Sequence, residues 1–151
     1  MKLSQIIKIA YLESLKASKK NEVPVGAVIF NDESIIAKAH NLVEKKNDPL
    51  AHAEILAIRK AAKKLNTIDL RGYKIYVTLE PCIFCSYAIS KYLISSIYFG
   101  SYDDNNLGVR NGIKLFHENF KGYKPEVYGG IGEEKTSNLI KAFFRKIRNQ
   151  N

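Results

Sequence analysis

Hydrophobic and polar residues follow different periods along the chain, and these periods predict where helices and strands lie. Over roughly the first 20 residues, apolar side chains recur at helical spacing, at Leu3, Ile6, Ile7, Ala10 and Tyr11. An amphipathic helix with one buried face is therefore expected there. Two short β-rich runs follow, EVPVGAVIF and SIIAKAHN, and the polar sequence NDE between them is typical of a hairpin turn.

The middle of the chain predicts helices and strands in alternation. The segment NDPLAHAEILAIRKAAKKL carries strong helix formers as far as Leu65, with Asp48 as a possible N-cap and Pro49 in a first-turn position. KIYVT predicts a buried strand, CIFCSYAISKYL a helix and SSIYFG another strand. The loop SYDDNNLGVRNG then leads to a short helical piece.

The remainder predicts a strand, PEVYGGI, and a final helix that opens at Glu133 and Glu134 and closes with basic residues, as the helix dipole favours. The predicted order is α-β-β-α-β-α-β, followed by a last β-α unit. This alternation indicates a layered α/β domain with an antiparallel hairpin at one end of a mixed sheet. A length of 151 residues is typical of one domain, which we expect to span residues 1–151.

Composition narrows the possible classes of function. The two cysteines are spaced C-x-x-C, which fits a metal or catalytic role in an intracellular protein better than a secreted disulfide framework. The apolar runs are well below the ~20 residues that span a bilayer, and the N-terminus does not resemble a signal peptide, so a cytoplasmic protein is expected. The net charge of +9 favours a polyanionic partner, and basic residues cluster most clearly in the C-terminal LIKAFFRKIRNQN.

Two predicted helices begin with residues that can bind a metal, AHAE at 51–54 and PCIFC at 81–85. Helix N-termini lower the pKa of thiols, so Cys82 and Cys85, which share one face of a first turn, are suited to be thiolate ligands. His52 offers a neutral imidazole as the third ligand. Three such ligands leave one position of a tetrahedral zinc ion open, which distinguishes catalytic from structural zinc.

Glu54 is the candidate proton carrier of this site. Residues i and i+2 of a regular helix point about 200° apart, so His52 and Glu54 converge only if His52 lies at the very edge of the helix. We therefore expect the helix to begin near His52, later than the capping signal at Asp48 suggests. A carboxylate beside a metal-activated water, but outside the coordination sphere, can take up the proton of that water and pass it on.

Two other interpretations of the cysteine pair stay open at this point. A C-x-x-C between a strand and a helix is also the layout of a thioredoxin-like redox pair, but that interpretation leaves His52 and Glu54 without a role. A closed structural zinc site would recruit His40 or His117 as fourth ligand, although its ligands would be more scattered than those of zinc fingers.

With H-x-E followed by P-C-x-x-C, the chain resembles the zinc-dependent deaminases of the cytidine deaminase superfamily. It is more closely similar to the bacterial tRNA-specific adenosine deaminases, and this similarity covers nearly the whole chain. The matching segments are EVPVGAV (22–28), Asn41, DPLAHAEI (48–55), YVTLEPCIFC (76–85), FGSYD (99–103) and AFFRKIR (142–148). The resemblance implies a three-layer α/β/α cytidine-deaminase-like fold with a central mixed five-stranded sheet, and a homodimer.

The resemblance also implies a reaction, the hydrolytic deamination of adenosine to inosine at the wobble position of tRNA. One Zn²⁺ per subunit would be held by His52, Cys82 and Cys85, and water activated there would attack the carbon that bears the amine. Glu54 would carry the proton of that water to the ring nitrogen and to the departing ammonia. The implied partner is the anticodon stem-loop of tRNA, with no DNA and no membrane.

Three residues are assigned to the substrate by the same resemblance. Asn41 would hydrogen-bond the flipped-out base, PVGAV with Val25 would form one wall of the pocket, and Asp103 would accept a hydrogen bond from a ribose 2′-hydroxyl. Each has a simpler alternative, because Asn41 and Asp103 are also typical turn residues, and Val25 and Val28 also suit the core of a strand.

The predicted final helix matches a family helix that contacts the RNA, through Phe143, Phe144, Arg145 and Arg148. A cationic, partly aromatic helix suits phosphate contact and base stacking, and we expect one phenylalanine to be core while both arginines face outward. The chain departs from the family after Asp103, where DDNNLGVRNG replaces a Lys-x-Gly-Ala pattern. The loop 104–112 is therefore expected to alter the surroundings of the substrate.

Two alternative functions would use some of the same residues. A small-molecule deaminase of guanine, cytosine or a cytidine nucleotide would use the same zinc ligands and would not need the basic C-terminal helix. A non-catalytic, zinc-stabilised RNA-binding module would not need Glu54.

Overall fold

The computed structural model describes residues 1–103 and 112–150, which form a five-stranded sheet with helices on both sides. The strands are β1 (Gly26–Phe30), β2 (Ile35–His40), β3 (Lys74–Leu79), β4 (Ser96–Ser101) and β5 (Glu126–Tyr128). Their order in the sheet is β2-β1-β3-β4-β5, with β1 antiparallel to β2 and β3, while β3, β4 and β5 run parallel. The predicted antiparallel hairpin at one end of a mixed sheet is confirmed.

The helices are α1 (Leu3–Lys19), α2 (Val43–Lys46), α3 (Ala53–Leu65), α4 (Ile83–Lys91) and α5 (Glu133–Gln150), and a 3₁₀ helix spans Gly112–Phe116. The sequence pattern did not predict α2, because a helix of one turn is too short to show a period. Among the described residues, no helix is both long and apolar enough to cross a membrane.

Several elements are shorter than the sequence pattern predicted, and two of them, α4 and β5, end early for a backbone reason. Helix α4 was expected to reach Leu93, but it ends at Lys91 because Leu93 adopts a left-handed backbone with φ of 61°. Strand β5 was expected to run from 125 to 131. It ends at Tyr128, before Gly130 and Gly132, whose positive φ values of 76° and 73° turn the chain toward α5.

Alternating side chains of the central strands support a helical layer on each face of the sheet. Ile75 and Val77 of β3 lie in the larger core cluster, which includes buried residues of α3 and α4 such as Ile58 and Ile89. Tyr76, between them, belongs to a second cluster formed with Ile6 of α1 and its neighbours. Helix α5 lies beside α1 on that side, where the ammonium of Lys135 sits 4.2 Å from the centre of the Tyr11 ring.

Helix α1 approaches β1 so closely that only glycine fits at position 26. A Cβ there would overlap the carbonyl oxygen of Ala10 and lie 2.9 Å from the backbone nitrogen of Ser14. The Gly26 amide also donates a hydrogen bond of 3.0 Å to Oγ1 of Thr78, on β3. These contacts fix the start of β1, immediately after Val25.

Candidate metal and active site

The N-termini of α3 and α4 bring the two candidate metal-binding motifs together. His52 is the N-cap of α3, and Cys82 is the N-cap of α4. Nδ1 of His52 lies 3.7 Å from Sγ of Cys82 and 3.5 Å from Sγ of Cys85. The helix thus begins immediately after His52, as we expected from its convergence with Glu54. Asp48 instead accepts a hydrogen bond from the Leu50 amide in the preceding turn.

The arrangement of the three side chains fits tetrahedral zinc. Zinc–sulfur bonds of about 2.3 Å and zinc–nitrogen bonds of 2.0–2.1 Å, at tetrahedral angles, place ligand atoms about 3.6 Å apart. The ligand atoms of His52, Cys82 and Cys85 all lie within 4.8 Å of one another. Within residues 1–103 and 112–150, this is the one cluster of three such groups that could hold a metal ion.

The two histidines considered as a fourth ligand are engaged elsewhere. Nδ1 of His40 lies 2.8 Å from Oε2 of Glu13, and Nδ1 of His117 accepts a hydrogen bond from the Asn119 amide. A closed four-ligand site is therefore not supported, and the three-ligand arrangement leaves a position open.

The two cysteines differ in how readily they form a thiolate, and the site favours the thiolate of Cys82. A hydrogen bond from the thiol of Cys85, together with the neighbouring His52, lowers the pKa of Cys82 to about 4. Burial raises the pKa of Cys85, which is fully enclosed. Burial also opposes protonation of His52, but its hydrogen bond with Cys82 and the charge of Glu54 outweigh burial and raise its pKa. A thiolate beside an imidazole is the donor chemistry that zinc selects.

Phe84, between the two cysteines, packs against the candidate histidine ligand. The centres of the Phe84 and His52 rings are 4.6 Å apart, at an interplanar angle of 53°. Contacts of this kind around a ligand restrict its orientation. The residues inside the C-x-x-C therefore help to orient the imidazole.

Glu54 lies in the first turn of α3 and is 4% exposed. Burial is the main cause that raises the pKa of its carboxyl group to about 7. A carboxyl group with this pKa can both accept and release a proton at neutral pH. Glu54 is therefore a candidate proton carrier beside the candidate ligands.

A cavity of about 460 Å³ opens beside this cluster, within the size range of small-molecule sites. Apart from the candidate ligands and Glu54, its wall includes Val25, Asn41, Asp103 and Phe144, all of which were assigned from the sequence to substrate or RNA contact. Arg145 and Arg148 do not line the cavity.

Asn41 and Val25 form one side of the cavity. The Asn41 side chain, 7% exposed, donates through Nδ2 to the carbonyl of Val23 at 3.3 Å and accepts through Oδ1 from the Val43 amide at 3.1 Å. Val28 points into the core cluster beneath α1. Val25 belongs to the larger core cluster and also lines the cavity.

Sequence reasoning missed Glu80, a third buried carboxylate of the cavity wall beside Glu54 and Asp103. Glu80 is 3% exposed, and its Oε1 accepts a hydrogen bond of 3.2 Å from the backbone nitrogen of Asp103, which is 7% exposed. The sequence signal that could have found Glu80 was its position before Pro81, at the end of a predicted buried strand. The departure from the family after Asp103 falls almost entirely on residues 104–111, outside the described part of the chain.

The burial of the α5 side chains agrees with the expectation that one phenylalanine is core and both arginines face outward. Phe143 is buried at 7% exposure, and Phe144 is half-buried at the cavity wall, with the two rings 5.3 Å apart and nearly perpendicular. Arg145 and Arg148 are exposed. The cations of α5 therefore lie on the outer surface of a helix whose inner side reaches the cavity.

Comparison with known proteins identifies relatives across nearly the whole chain. Residues 1–101 match the family described as the cytidine and deoxycytidylate deaminase zinc-binding region. The chain is 44% identical over 143 residues to a tRNA-specific adenosine deaminase of Aquifex aeolicus, covering 95% of this chain and 94% of that protein. A Bacillus subtilis protein of the same name is 39% identical over 142 residues, covering 94% of this chain and 88% of that protein.

Solved structures show the same fold. A structure from work on A-to-I editing by tRNA:A34 deaminases at the wobble position has a TM-score of 0.84 and 36% identity, covering 90% of this chain and 99% of that one. A guanine deaminase of Bacillus subtilis has a TM-score of 0.67 and 32% identity, covering 76% of this chain and 75% of that one. The three-layer arrangement predicted from the sequence is therefore confirmed.

Proposed function

Because the chain belongs to the zinc-binding cytidine and deoxycytidylate deaminase family, and within it to the tRNA-specific adenosine deaminases, we propose that it converts adenosine to inosine at the wobble position of tRNA. The observation that carries this proposal is the cluster of His52, Cys82, Cys85 and Glu54 beside a cavity of about 460 Å³. The enzyme would act in the cytoplasm, together with its tRNA substrates.

We propose that His52, Cys82 and Cys85 hold one Zn²⁺ per subunit. Bound zinc supplies the Lewis acidity that makes water nucleophilic at neutral pH. The spacing of the three ligand atoms and the thiolate character of Cys82 support this assignment. Phe84, the third residue of the C-x-x-C, packs against the imidazole and helps to hold its orientation.

Glu54 carries the protons of the proposed reaction. Its carboxylate accepts one proton as water attacks the adenine carbon that bears the amine, and passes it to the ring nitrogen; it then takes the remaining proton of the attacking oxygen and passes that to the departing amine. Adenosine and water thus give inosine and ammonia, with every proton accounted for. The burial of Glu54, which raises its pKa to about 7, supports its ability to work in both directions.

The remaining cavity wall is suited to hold a flipped-out base and its ribose. Asn41 offers an amide fixed by two hydrogen bonds to the backbone, and Val25 provides an apolar surface for a ring face. We propose that the buried carboxylate of Asp103 accepts a hydrogen bond from the ribose 2′-hydroxyl. Phe144 closes the wall next to the exposed cations of α5.

Guanine is the second candidate substrate, favoured by the similarity to a guanine deaminase structure.

A parallel substrate assay tests the proposal. The protein is incubated with an anticodon stem-loop that carries adenosine at the wobble position, with guanine, and with cytidine and its nucleotides. Inosine is expected from the stem-loop alone, and the same stem-loop with cytidine at that position serves as a control. Xanthine or uridine without inosine would replace the proposed function with a small-molecule deaminase.

We predict that the double variant Arg145→Ala/Arg148→Ala weakens the Kd for the stem-loop by about tenfold at ~0.15 M salt, because two phosphate contacts are lost. The slope of log affinity against log salt concentration should fall by about 1.5. Fluorescence anisotropy over a range of salt concentrations measures both quantities.

The matched control for this variant is Arg59→Ala/Lys63→Ala, which removes two exposed positive charges from α3. It should leave the Kd within about twofold of the wild-type value, since a general loss of charge has only a screened effect. Equal weakening by the two double variants would mean that α5 has no special role in RNA binding.

We also propose that the enzyme is a homodimer. Ile83 and Tyr87, one helical turn apart on α4, are 45% and 51% exposed next to the candidate ligands, and an apolar pair of this kind is suited to a subunit contact. Light scattering should give twice the 17.1 kDa of one chain. The mass of a single chain at micromolar concentration would contradict this assembly.

A further inference from the structure

Glu22 is a buried carboxylate that the proposed chemistry does not use. It is 1% exposed and does not line the cavity. Its Oε1 accepts a hydrogen bond of 2.7 Å from the backbone nitrogen of Glu44, and its Oε2 accepts one of 3.3 Å from that of Lys45. A buried carboxyl group is tolerated only with such partners, so Glu22 and the first turn of α2 depend on each other.

Helix α2 needs this support because it has a single turn, too short to be stable by itself. Its N-cap residue, Leu42, makes no capping hydrogen bond through its side chain. The free amides of the first turn are instead satisfied from outside, that of Val43 by Oδ1 of Asn41 and the next two by Glu22.

Along the chain, α2 lies between two parts of the candidate active site, Asn41 and His52. Asn41 lies immediately before it, and the segment after it leads to His52. The Leu42 amide donates to the carbonyl of Ala51 at 3.0 Å, and the Asp48 amide donates to the carbonyl of Val43 at 3.1 Å. The position of α2 therefore helps to fix the position of Asn41, whose Oδ1 accepts from the Val43 amide.

Glu22 is also the first residue of the 22–25 segment, which forms hydrogen bonds with Asn41. The carbonyl of Val23 accepts from Nδ2 of Asn41, and the carbonyl of Val25 accepts from the Asn41 backbone nitrogen at 3.1 Å. Both valines line the cavity. Glu22 thus joins α2 to the same segment that Asn41 touches, one residue away from the cavity wall.

We propose that Glu22 is a positioning residue for substrate binding, which holds α2 against the 22–25 segment and so fixes the amide of Asn41 toward the base. This inference rests on the proposed function, because the base is the group that Asn41 would contact. It assigns to Glu22 an effect on the binding of substrate and none on the proton transfer carried by Glu54.

The test variant is Glu22→Gln, which has the same shape but keeps one acceptor oxygen and replaces the other with an NH₂ group that cannot accept. We expect KM for the stem-loop to rise about tenfold, because the amide of Asn41 is less well fixed. The value of kcat and the zinc content should stay within about twofold of wild type.

Glu13→Gln is the matched control. Glu13 is also a buried carboxylate, 4% exposed, but its partners are Lys16 and His40 and it does not touch α2. This variant is expected to lower the melting temperature without raising KM. A similar rise in KM for the two variants would overturn the inference, since any loss of a buried carboxylate would then have the same effect.

A double-mutant cycle with Asn41→Ala separates positioning from general stability. If Glu22 acts through Asn41, the double variant should bind the stem-loop no more weakly than Asn41→Ala alone. Additive losses would show that Glu22 acts by another route and would overturn the proposal. Should Glu22→Gln fail to fold, Glu22→Asp, which keeps the carboxylate but withdraws it from α2, takes its place in the cycle.

Failure of this inference is distinguishable from failure of the proposed function. A wild-type protein that forms no inosine contradicts the function itself. A wild-type protein that forms inosine, beside a Glu22→Gln variant of unchanged KM, contradicts only the role of Glu22.

Discussion

Replacing Glu54 by glutamine is expected to lower kcat by at least about 10³-fold while one zinc ion per chain stays bound. Glutamine fills the same volume but cannot accept the proton that water must lose, and Glu54 is not among the three candidate ligands. Glu54→Ala should behave in the same way. Single-turnover formation of inosine, measured together with metal content, tests this expectation.

The control for the Glu54 variants is Glu33→Gln, an exposed carboxylate in the hairpin turn, which should leave kcat unchanged. Substantial activity in a zinc-loaded Glu54→Gln variant would mean that another group carries the proton. Loss of zinc in that variant would instead place Glu54 in the coordination sphere, contrary to the proposed mechanism.

His52→Ala is expected to abolish both zinc binding and deamination, because two thiols alone cannot form the proposed site. Cys82→Ala should have the same result. Elemental analysis of the purified protein should fall from one zinc per chain toward zero, and the melting temperature should fall with it, since binding of a metal to the folded state stabilises that state.

The other two histidines of the chain provide matched controls for His52. His40→Ala and His117→Ala should both retain one zinc per chain, since neither side chain lies in the cluster of ligand atoms. Loss of zinc in either variant would support a closed structural site and would remove the open position that the proposed catalysis requires.

Local sequence was sufficient to predict the chemistry of this site. The types of residue in H-x-E and P-C-x-x-C select zinc, and their places at the starts of two predicted helices indicated that His52 and the thiols would face a common centre. Two signals disagreed on where α3 begins: a capping signal at Asp48, and the need for His52 and Glu54 to reach one site. The second predicted a start near His52, which is where the structure has it. Strand order at the hairpin followed from the short turn between β1 and β2.

Contacts between distant segments were beyond sequence reasoning. Glu80 could not be placed beside Asp103, because the hydrogen bond between them joins the ends of two different elements. Helix α2 has no period of its own and depends on hydrogen bonds to Asn41, which lies immediately before it, and to Glu22, which lies on a distant segment. The choice between Phe143 and Phe144 depended on the angle at which α5 meets the sheet.

The sequence by itself therefore determined the helices and strands with clear periods and predicted the candidate ligand set and the candidate proton carrier, because these depend on the identity and spacing of neighbouring residues. Only the tertiary structure decided which side chains enclose the cavity, which carboxylates line it and which side of α5 faces the cavity. These depend on how distant elements pack, and burial of apolar surface governs that packing without leaving a local pattern in the chain.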